Sequence, residues 1–288
     1  MQDRVEFILL KVLSYILRIT PDKHLIKLAK LLAFLFYHFL PIRKKIVYKN
    51  LKLAFPEFSD EEKLKIVYRS YVNLFLVLLE ILKIPYLSKE EIMDKVKIDD
   101  FGEIYERIKN NEGLIFVSAH FGNWELLALG SALRFKKPFT IVVKPLRNKL
   151  ADNFINECRC KFGNKVIPMG VSVKHIYKDL LENKIIALLA DQRASLQSLA
   201  IDFFNKKTHV YEGPAALAVK TNKPLYFAIG IRQHDFSYTV KLKKIEPPKD
   251  KDDREKIITM TKTYIHLLEN YIREYPDQWL WFHDRWKH

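Results

Sequence analysis

The rhythm of apolar positions changes along the chain and divides it into three stretches. From Val5 to Ile19 the segment VEFILLKVLSYILRI is almost continuously apolar, and Arg4, Lys11, Ser14 and Arg18 recur at roughly helical spacing on one narrow stripe. A second helical run, HLIKLAKLLAFLFYHFL, has Lys23, Lys27 and Lys30 along one side, is uncharged from Leu31 to Leu40, and stops at Pro41. Neither run has the roughly 18 to 20 consecutive apolar residues that a spanning helix needs. The pattern predicts either helices lying in a bilayer interface over residues 1–40 or a helical hairpin packed on the protein's own core. No small-residue cleavage site follows a single apolar block, so a cleaved signal peptide is not expected.

Helical periodicity continues over residues 41–111. Ser59 followed by Glu62 reads as a capping box, opening a helix with Ile66, Val67, Tyr71, Leu74, Phe75, Leu78 and Leu79 on its apolar face. From about residue 112 short apolar runs alternate with helical ones. GLIFVSA, FTIVVKP, KVIPM, KIIALLAD, PLYFAIGIRQ and YTVKLKKI read as strands; WELLALGSALRF, NKLADNFINECRCKF, VSVKHIYKDLLENK and GPAALAVKTN read as the helices between them. This alternation predicts an α/β fold with a mainly parallel sheet flanked by helices. One domain over 41–288 would comprise a helical lead-in, 41–111, and the α/β core, 112–288. An amphipathic helix, DDREKIITMTKTYIHLLENYIREY, and an aromatic tail, DQWLWFHDRWKH, close the chain, and Trp279, Trp281 and Trp286 fit a lipid interface and a helix-capping core strand equally well.

Composition narrows the partners. The 288 residues are 49% apolar, enough for a large core, and carry 49 lysines and arginines against 34 acids, a formal net charge of +15. An anionic partner is expected. The first 60 residues alone hold 11 basic and 5 acidic residues, the bias of segments that dock on anionic lipid. No nucleic-acid-binding motif is present, so nucleic acid is not the expected partner. Cys158 and Cys160 are too few for a disulfide framework and read as reduced thiols. There is no Walker loop, HExxH, G-x-S-x-G or GxGxxG, and no ligand cluster for a metal; no cofactor is expected.

In open α/β sheets the ligand crevice lies beyond the carboxyl ends of the strands. The residues just past the expected strands make a basic edge: His120, then Lys144, then Asp191 with Gln192 and Arg193, then Arg232 and Gln233. His120 and Glu125 are five residues apart, about 140° around an ideal helix, so they meet only if His120 is still on the loop. Gly122 permits a tight turn there and Asn123 is a good N-cap, leaving Glu125 in the first helical turn, able to reach back to the histidine. The other reading of the same residues is structural. A glutamate early in a helix is favourable against the dipole alone, and a strand-end aspartate often caps a loop.

The set HFGNWE at 120–125, ADQ at 190–192, DFF at 202–204, EGPAALA at 212–218, NLKLAFPE at 50–57 and YPDQWLWFHDRWK at 275–287 resembles, in order, the bacterial lipid A biosynthesis late acyltransferases. The likeness runs from about residue 15 to the C-terminus. It implies transfer of a fatty acyl chain from acyl carrier protein to a hydroxyl of an anionic glycolipid, a lipid A precursor, at the cytoplasmic face of the inner membrane. It implies His120 as general base, with Glu125 orienting it, and direct transfer without an acyl-enzyme. Lys144, Arg147 and Arg159 would hold acceptor phosphates or the developing oxyanion; Asp191, grouped with Gln192 among the substrate-binding residues, resembles the family's strand-end aspartate and would fix the site or orient a basic residue. A related reading keeps the fold and changes the acceptor to another glycolipid such as a phosphatidylinositol mannoside, with acyl-CoA as a possible donor. Arg193 and Asp284 depart from the family pattern and leave substrate identity open.

Overall fold

In a computed structural model of the chain, residues 1–170 and 172–287 are described. Val171, at the start of an expected helix, and His288, the last residue of the aromatic tail, lie outside them. The N-terminal third is helical: α1 (Gln2–Leu17), α2 (Asp22–His38), α3 (Lys44–Ala54), α4 (Asp60–Lys83) and α5 (Lys89–Lys95). Next come β1 (Val96–Ile98), α6 (Gly102–Lys109), β2 (Leu114–Ser118), α7 (Trp124–Phe135), β3 (Phe139–Val143), α8 (Lys149–Cys160) and β4 (Lys165–Pro168). The chain continues through α9 (Ser172–Leu181), β5 (Ile185–Leu189), β6 (Ala200–Phe203), β7 (Lys206–His209), α10 (Gly213–Thr221), β8 (Leu225–Arg232), β9 (Tyr238–Ile245) and α11 (Asp253–Glu274).

Seven strands form one sheet in the order β1-β9-β8-β2-β5-β3-β4, parallel throughout except for the β8–β9 pair. Side chains alternate across each strand, so the central strand β2 serves two cores. Ile115 and Val117 pack with α10 and α11 residues, while Leu114 and Phe116 pack with Ala132 and Phe135 of α7. Residues 200–209, which the apolar rhythm does not reveal as strands, make a separate antiparallel hairpin of β6 and β7. The helical reading of 41–111 also misses β1, a three-residue edge strand beside β9.

The long helix α4 joins the N-terminal helices to this core. Its capping box is formed, the Glu62 N–H donating to Ser59 Oγ at 3.2 Å and the Ser59 N–H to Glu62 Oε2 at 2.7 Å. Leu76, Leu79 and Leu82 pack with Leu17 of α1 and Leu25 of α2. Ser14 does not lie on an outward polar stripe: it is buried and donates to the Leu82 carbonyl at 2.6 Å. Its hydroxyl has a backbone acceptor one helix away, which makes the inward position satisfied. The inward face of α1 is therefore Phe7, Leu10, Leu13, Ser14 and Leu17, while Ile8, Leu9, Val12 and Ile16 are more than half exposed. Among the described residues no helix is long and apolar enough to cross a membrane.

Candidate active site

The register of two neighbouring strands builds the centre of the site. β2 and β5 are parallel with Ser118 opposite Leu189, and the Ala190 N–H continues the ladder onto the Ser118 carbonyl at 3.1 Å. His120 and Asp191 each lie two residues beyond those ends, so they leave the sheet at the same level. The Asp191 carboxylate accepts from His120 Nδ1 at 2.8 Å and from the His120 backbone N–H at 3.0 Å. Its second oxygen also accepts from Trp279 Nε1 at 2.9 Å. Because the acceptor is a carboxylate, Nδ1 carries the proton and the other ring nitrogen holds a lone pair.

Burial alone would depress the imidazole, but the adjoining Asp191 charge outweighs it and raises His120 above its ordinary value; Glu125 adds a smaller push in the same direction. Burial alone would raise the Asp191 carboxyl, and the histidine together with the Trp279 and backbone donors holds it below the usual carboxylate range instead. The Asp191 side chain is 3% exposed and that of His120 is 20% exposed. The pair is thus closed on the aspartate side and open on the imidazole side. Trp124 packs edge-on against the imidazole, with ring centroids 4.9 Å apart.

The turn from β2 into α7 is fixed from below. Gly122 has φ +54°, and a Cβ there would lie 2.3 Å from the Gly230 carbonyl oxygen, so only glycine fits. Its N–H donates to the Gln278 carbonyl at 2.9 Å, and the Leu280 N–H donates to the His120 carbonyl at 2.9 Å. Asn123 caps α7 by accepting from the Leu126 N–H at 3.1 Å, while its amide donates to Glu80 Oε2 at 2.9 Å. Glu80 Oε2 also accepts from Tyr238 at 2.6 Å and from Arg232 at 3.1 Å. Asn73, two turns earlier on α4, accepts from Arg232 and donates to the Gln278 carbonyl.

Glu125 does not meet His120. Its carboxylate, 7% exposed, is gripped by Arg159 of α8 through Nε at 2.9 and 3.1 Å and Nη2 at 2.6 Å. The expected pairing of Glu125 with His120 is thus replaced by two pairs, His120–Asp191 and Glu125–Arg159. Asp191, expected among the substrate-binding residues, has both oxygens committed within the protein. Arg159, Lys144, Arg147 and Gln192 all face the same cavity as His120. Lys144 is exposed, and Arg147 lies loosely between Asp3 and Glu6 of α1, at 3.7 and 3.5 Å.

That cavity has a volume of about 1420 Å³ and runs from the sheet edge into the protein along α7. Small side chains leave the space: Ala128 and Ser131 on α7, Ala187 on β5 and Ala228 on β8. Phe116 stacks on both Phe135 and Phe139 at the end remote from His120, with the three ring centroids 5.5 to 6.1 Å apart. From Trp124 to Phe135 the helix covers about 16 Å.

Two further features were not apparent from the sequence. Trp279 and Trp281 are buried, the core alternative for the aromatic tail, but the Trp279 indole N–H donating to Asp191 could not be read from the sequence. His283 lines the cavity and accepts from the Arg193 N–H at 3.1 Å; burial, then the Arg285 charge, holds it below its ordinary value. The cysteines are free, and burial pushes the Cys158 thiol up to about 12, far from an activated nucleophile. No group of three or more metal-ligating side chains exists among the described residues.

Residues 4–288 match the family described as bacterial lipid A biosynthesis acyltransferase. Among curated proteins the chain is similar to a phosphatidylinositol mannoside acyltransferase of Mycolicibacterium smegmatis, 23% identical over 151 residues, 51% of this chain and 49% of that protein. It therefore spans about half the length of that relative. It is similar also to the lipid A biosynthesis palmitoleoyltransferase of Escherichia coli, 23% identical over 252 residues, 86% of this chain and 80% of that protein. The lauroyltransferase of the same organism is 24% identical over 254 residues, with the same shares covered. With nearly its whole length matched, the chain belongs to the bacterial lipid A biosynthesis acyltransferase family.

Proposed function

We propose that the protein transfers a fatty acyl chain from a thioester to a hydroxyl of an anionic glycolipid, with His120 as general base and Asp191 as the residue that positions it. One observation carries this reading: a histidine with Nδ1 held by a buried carboxylate stands at the head of a long apolar cavity. The free ring nitrogen takes the acceptor hydroxyl proton as the oxygen bonds to the thioester carbonyl carbon. The tetrahedral intermediate collapses by breaking the C–S bond, and the imidazolium returns the proton to the departing thiolate. Arg159, immobilised by Glu125, supplies a fixed positive charge for the oxyanion. Neither cysteine is activated, so transfer is direct, without an acyl-enzyme.

The lobe between α7 and the sheet holds the chain being transferred, and the Phe116, Phe135 and Phe139 cluster limits its length. Lys144 and Arg147 at the mouth receive the anionic groups of the acceptor and steer an acidic acyl carrier protein. The outward faces of α1 and α2, with Ile8, Val12, Ile16, Phe34 and Leu35 exposed, rest on the cytoplasmic face of the inner membrane. The relatives are named for lipid A biosynthesis and for phosphatidylinositol mannoside. The lipid A precursor is the first reading because those relatives align over 80% of their length, against 49% for the mannoside enzyme.

Mass spectrometry of the lipid formed from mixed-length acyl-carrier-protein thioesters and a tetraacylated lipid A precursor tests the reading. A single added acyl chain is expected. No transfer to that precursor, with transfer to a phosphatidylinositol mannoside from acyl-CoA, would move the acceptor to the second class. No transfer to either would sink the proposal.

A further inference from the structure

The cavity has a polar corner that the proposed mechanism leaves unused. His120 stands at the sheet edge between two cores. On one side are Glu125 and Arg159, and Leu126 and Cys158 beside them belong to the core that packs against α1, α2 and α4. On the other side are Gln192, Tyr211 and His283, and Val210 and Phe282 beside the last two belong to the core of α10 and α11. All five polar residues line the same space as His120.

His283 is held in place from three directions. Its carbonyl accepts from the side-chain amide of the buried Asn50 on α3 at 2.8 Å, and the Trp281 carbonyl accepts from the same amide at 2.9 Å. Arg43, just before α3, donates to the Phe282 carbonyl at 2.9 Å. Arg193, whose backbone N–H donates to His283 Nε2, also donates through Nη1 to the Lys287 carbonyl at 2.6 Å. An imidazole nitrogen that accepts from an amide N–H carries no proton, so the ring is neutral with its proton on Nδ1. Burial and the Arg285 charge favour the same neutral form. Nδ1 itself has no hydrogen-bond partner among the described residues, and the ring borders the cavity.

We infer that His283 donates a hydrogen bond from Nδ1 to an oxygen of the acceptor beside the hydroxyl that reacts at His120. This rests on the acyl-transfer reading above. Direct transfer needs both substrates present together. The thioester carbonyl has Arg159 on the α8 side, which leaves the Gln192, Tyr211 and His283 corner to the acceptor. A neutral, rigidly held donor suits a hydroxyl, ether or carbonyl oxygen, whereas charged groups are served by Lys144 and Arg147. A histidine that merely capped the chain after β5 would need Nε2 alone, so the two ring nitrogens report on different roles.

Two substitutions separate those roles in the full chain. In His283→Asn the side-chain amide nitrogen takes the place of Nδ1 and keeps the donor; in His283→Gln the terminal amide takes the place of Nε2 and keeps the acceptor for Arg193. Transfer to the tetraacylated lipid A precursor is measured at saturating donor thioester, with circular dichroism matched to the wild type. His283→Gln should raise the acceptor KM by about three- to tenfold, the size of one neutral hydrogen bond, with kcat and donor KM unchanged. His283→Asn should stay near the wild-type KM. An unchanged KM in His283→Gln, or a loss in His283→Asn as large as that in His283→Gln, would assign the ring to the Arg193 contact and overturn the inference. A fall in kcat at constant KM would place the donor on the transition state and overturn it as well. A measurement independent of how the variants fold is nitrogen NMR of the histidine rings in the wild type. The His283 Nδ1 resonance should move when the precursor is added without donor, and an unmoved resonance at saturating precursor would overturn the inference. No transfer by the wild type would sink the acyl-transfer reading, whereas wild-type transfer with the two variants in the reverse order would sink the His283 assignment alone.

Discussion

The His120 turn and the α1–α2 hairpin are held by opposite means. The turn is over-determined: Asp191 beyond β5, Glu80 of α4 and the segment after α11 hydrogen-bond it directly, and Arg232 of β8 and Tyr238 of β9 hold Glu80 in turn. The hairpin is apolar inside, mixes apolar and basic residues outside, and is held by non-directional packing and a few polar contacts such as Ser14 to Leu82. Chemistry needs a geometry accurate to a fraction of an ångström, which directional contacts impose. A surface that meets lipid needs only exposed apolar area.

The first way to break this contrast is at the positioning pair. Asp191→Asn should keep the fold and lower transfer by about 10²- to 10⁴-fold, the usual worth of general acid–base catalysis, and His120→Ala at least as much. Transfer assays on proteins with matching circular dichroism check this; a mutant at wild-type rate would remove the base. Next is the support beneath the turn. Glu80→Ala leaves the nearly buried Arg232 without its charge partner and should cost about 3 to 5 kcal/mol in urea unfolding, whereas replacing an exposed glutamate such as Glu61 should leave the urea midpoint essentially where it is.

Smaller effects sharpen the same line. Gly122→Ala meets the Gly230 carbonyl and a left-handed backbone worth about 1 to 2 kcal/mol by itself, so thermal unfolding should show a loss at least that large. On the hairpin, Ile8→Asp with Ile16→Asp should leave stability within about 0.5 kcal/mol. The same pair should weaken sedimentation with anionic vesicles by about tenfold or more. A large stability loss there would mean that the outward face packs on protein and not on lipid.

The sheet was legible because each main strand is a short apolar run flanked by helical periodicity, and the six strands read from Gly113 onward all form. The β6–β7 hairpin was not, since AIDF and KKTH are only four residues each and KKTH has no apolar residue at all. His120 was found as a strand-end residue, but its partner was sought five residues away when it lies 71 away. Local spacing favours the near carboxylate; only the parallel register of β2 and β5 puts Asp191 level with the histidine. The burial of Trp279 was hidden for the same reason. An aromatic tail reads alike on a membrane and in a core until its indole N–H is seen to have a buried acceptor.

The central claim is that Asp191, and not Glu125, sets the basicity of His120. The pH dependence of transfer rate, as kcat/KM, tests it directly in the wild type, Asp191→Asn and Glu125→Gln. In the proposed mechanism the neutral imidazole is the active form, and Asp191 stabilises the protonated one. The rate should therefore rise with pH through an apparent pKa above the ordinary histidine value of about 6.5. Asp191→Asn should move that limb to lower pH while lowering the plateau, and Glu125→Gln should move it less. A limb that stays in place in Asp191→Asn, or a larger downward shift in Glu125→Gln, would contradict the account.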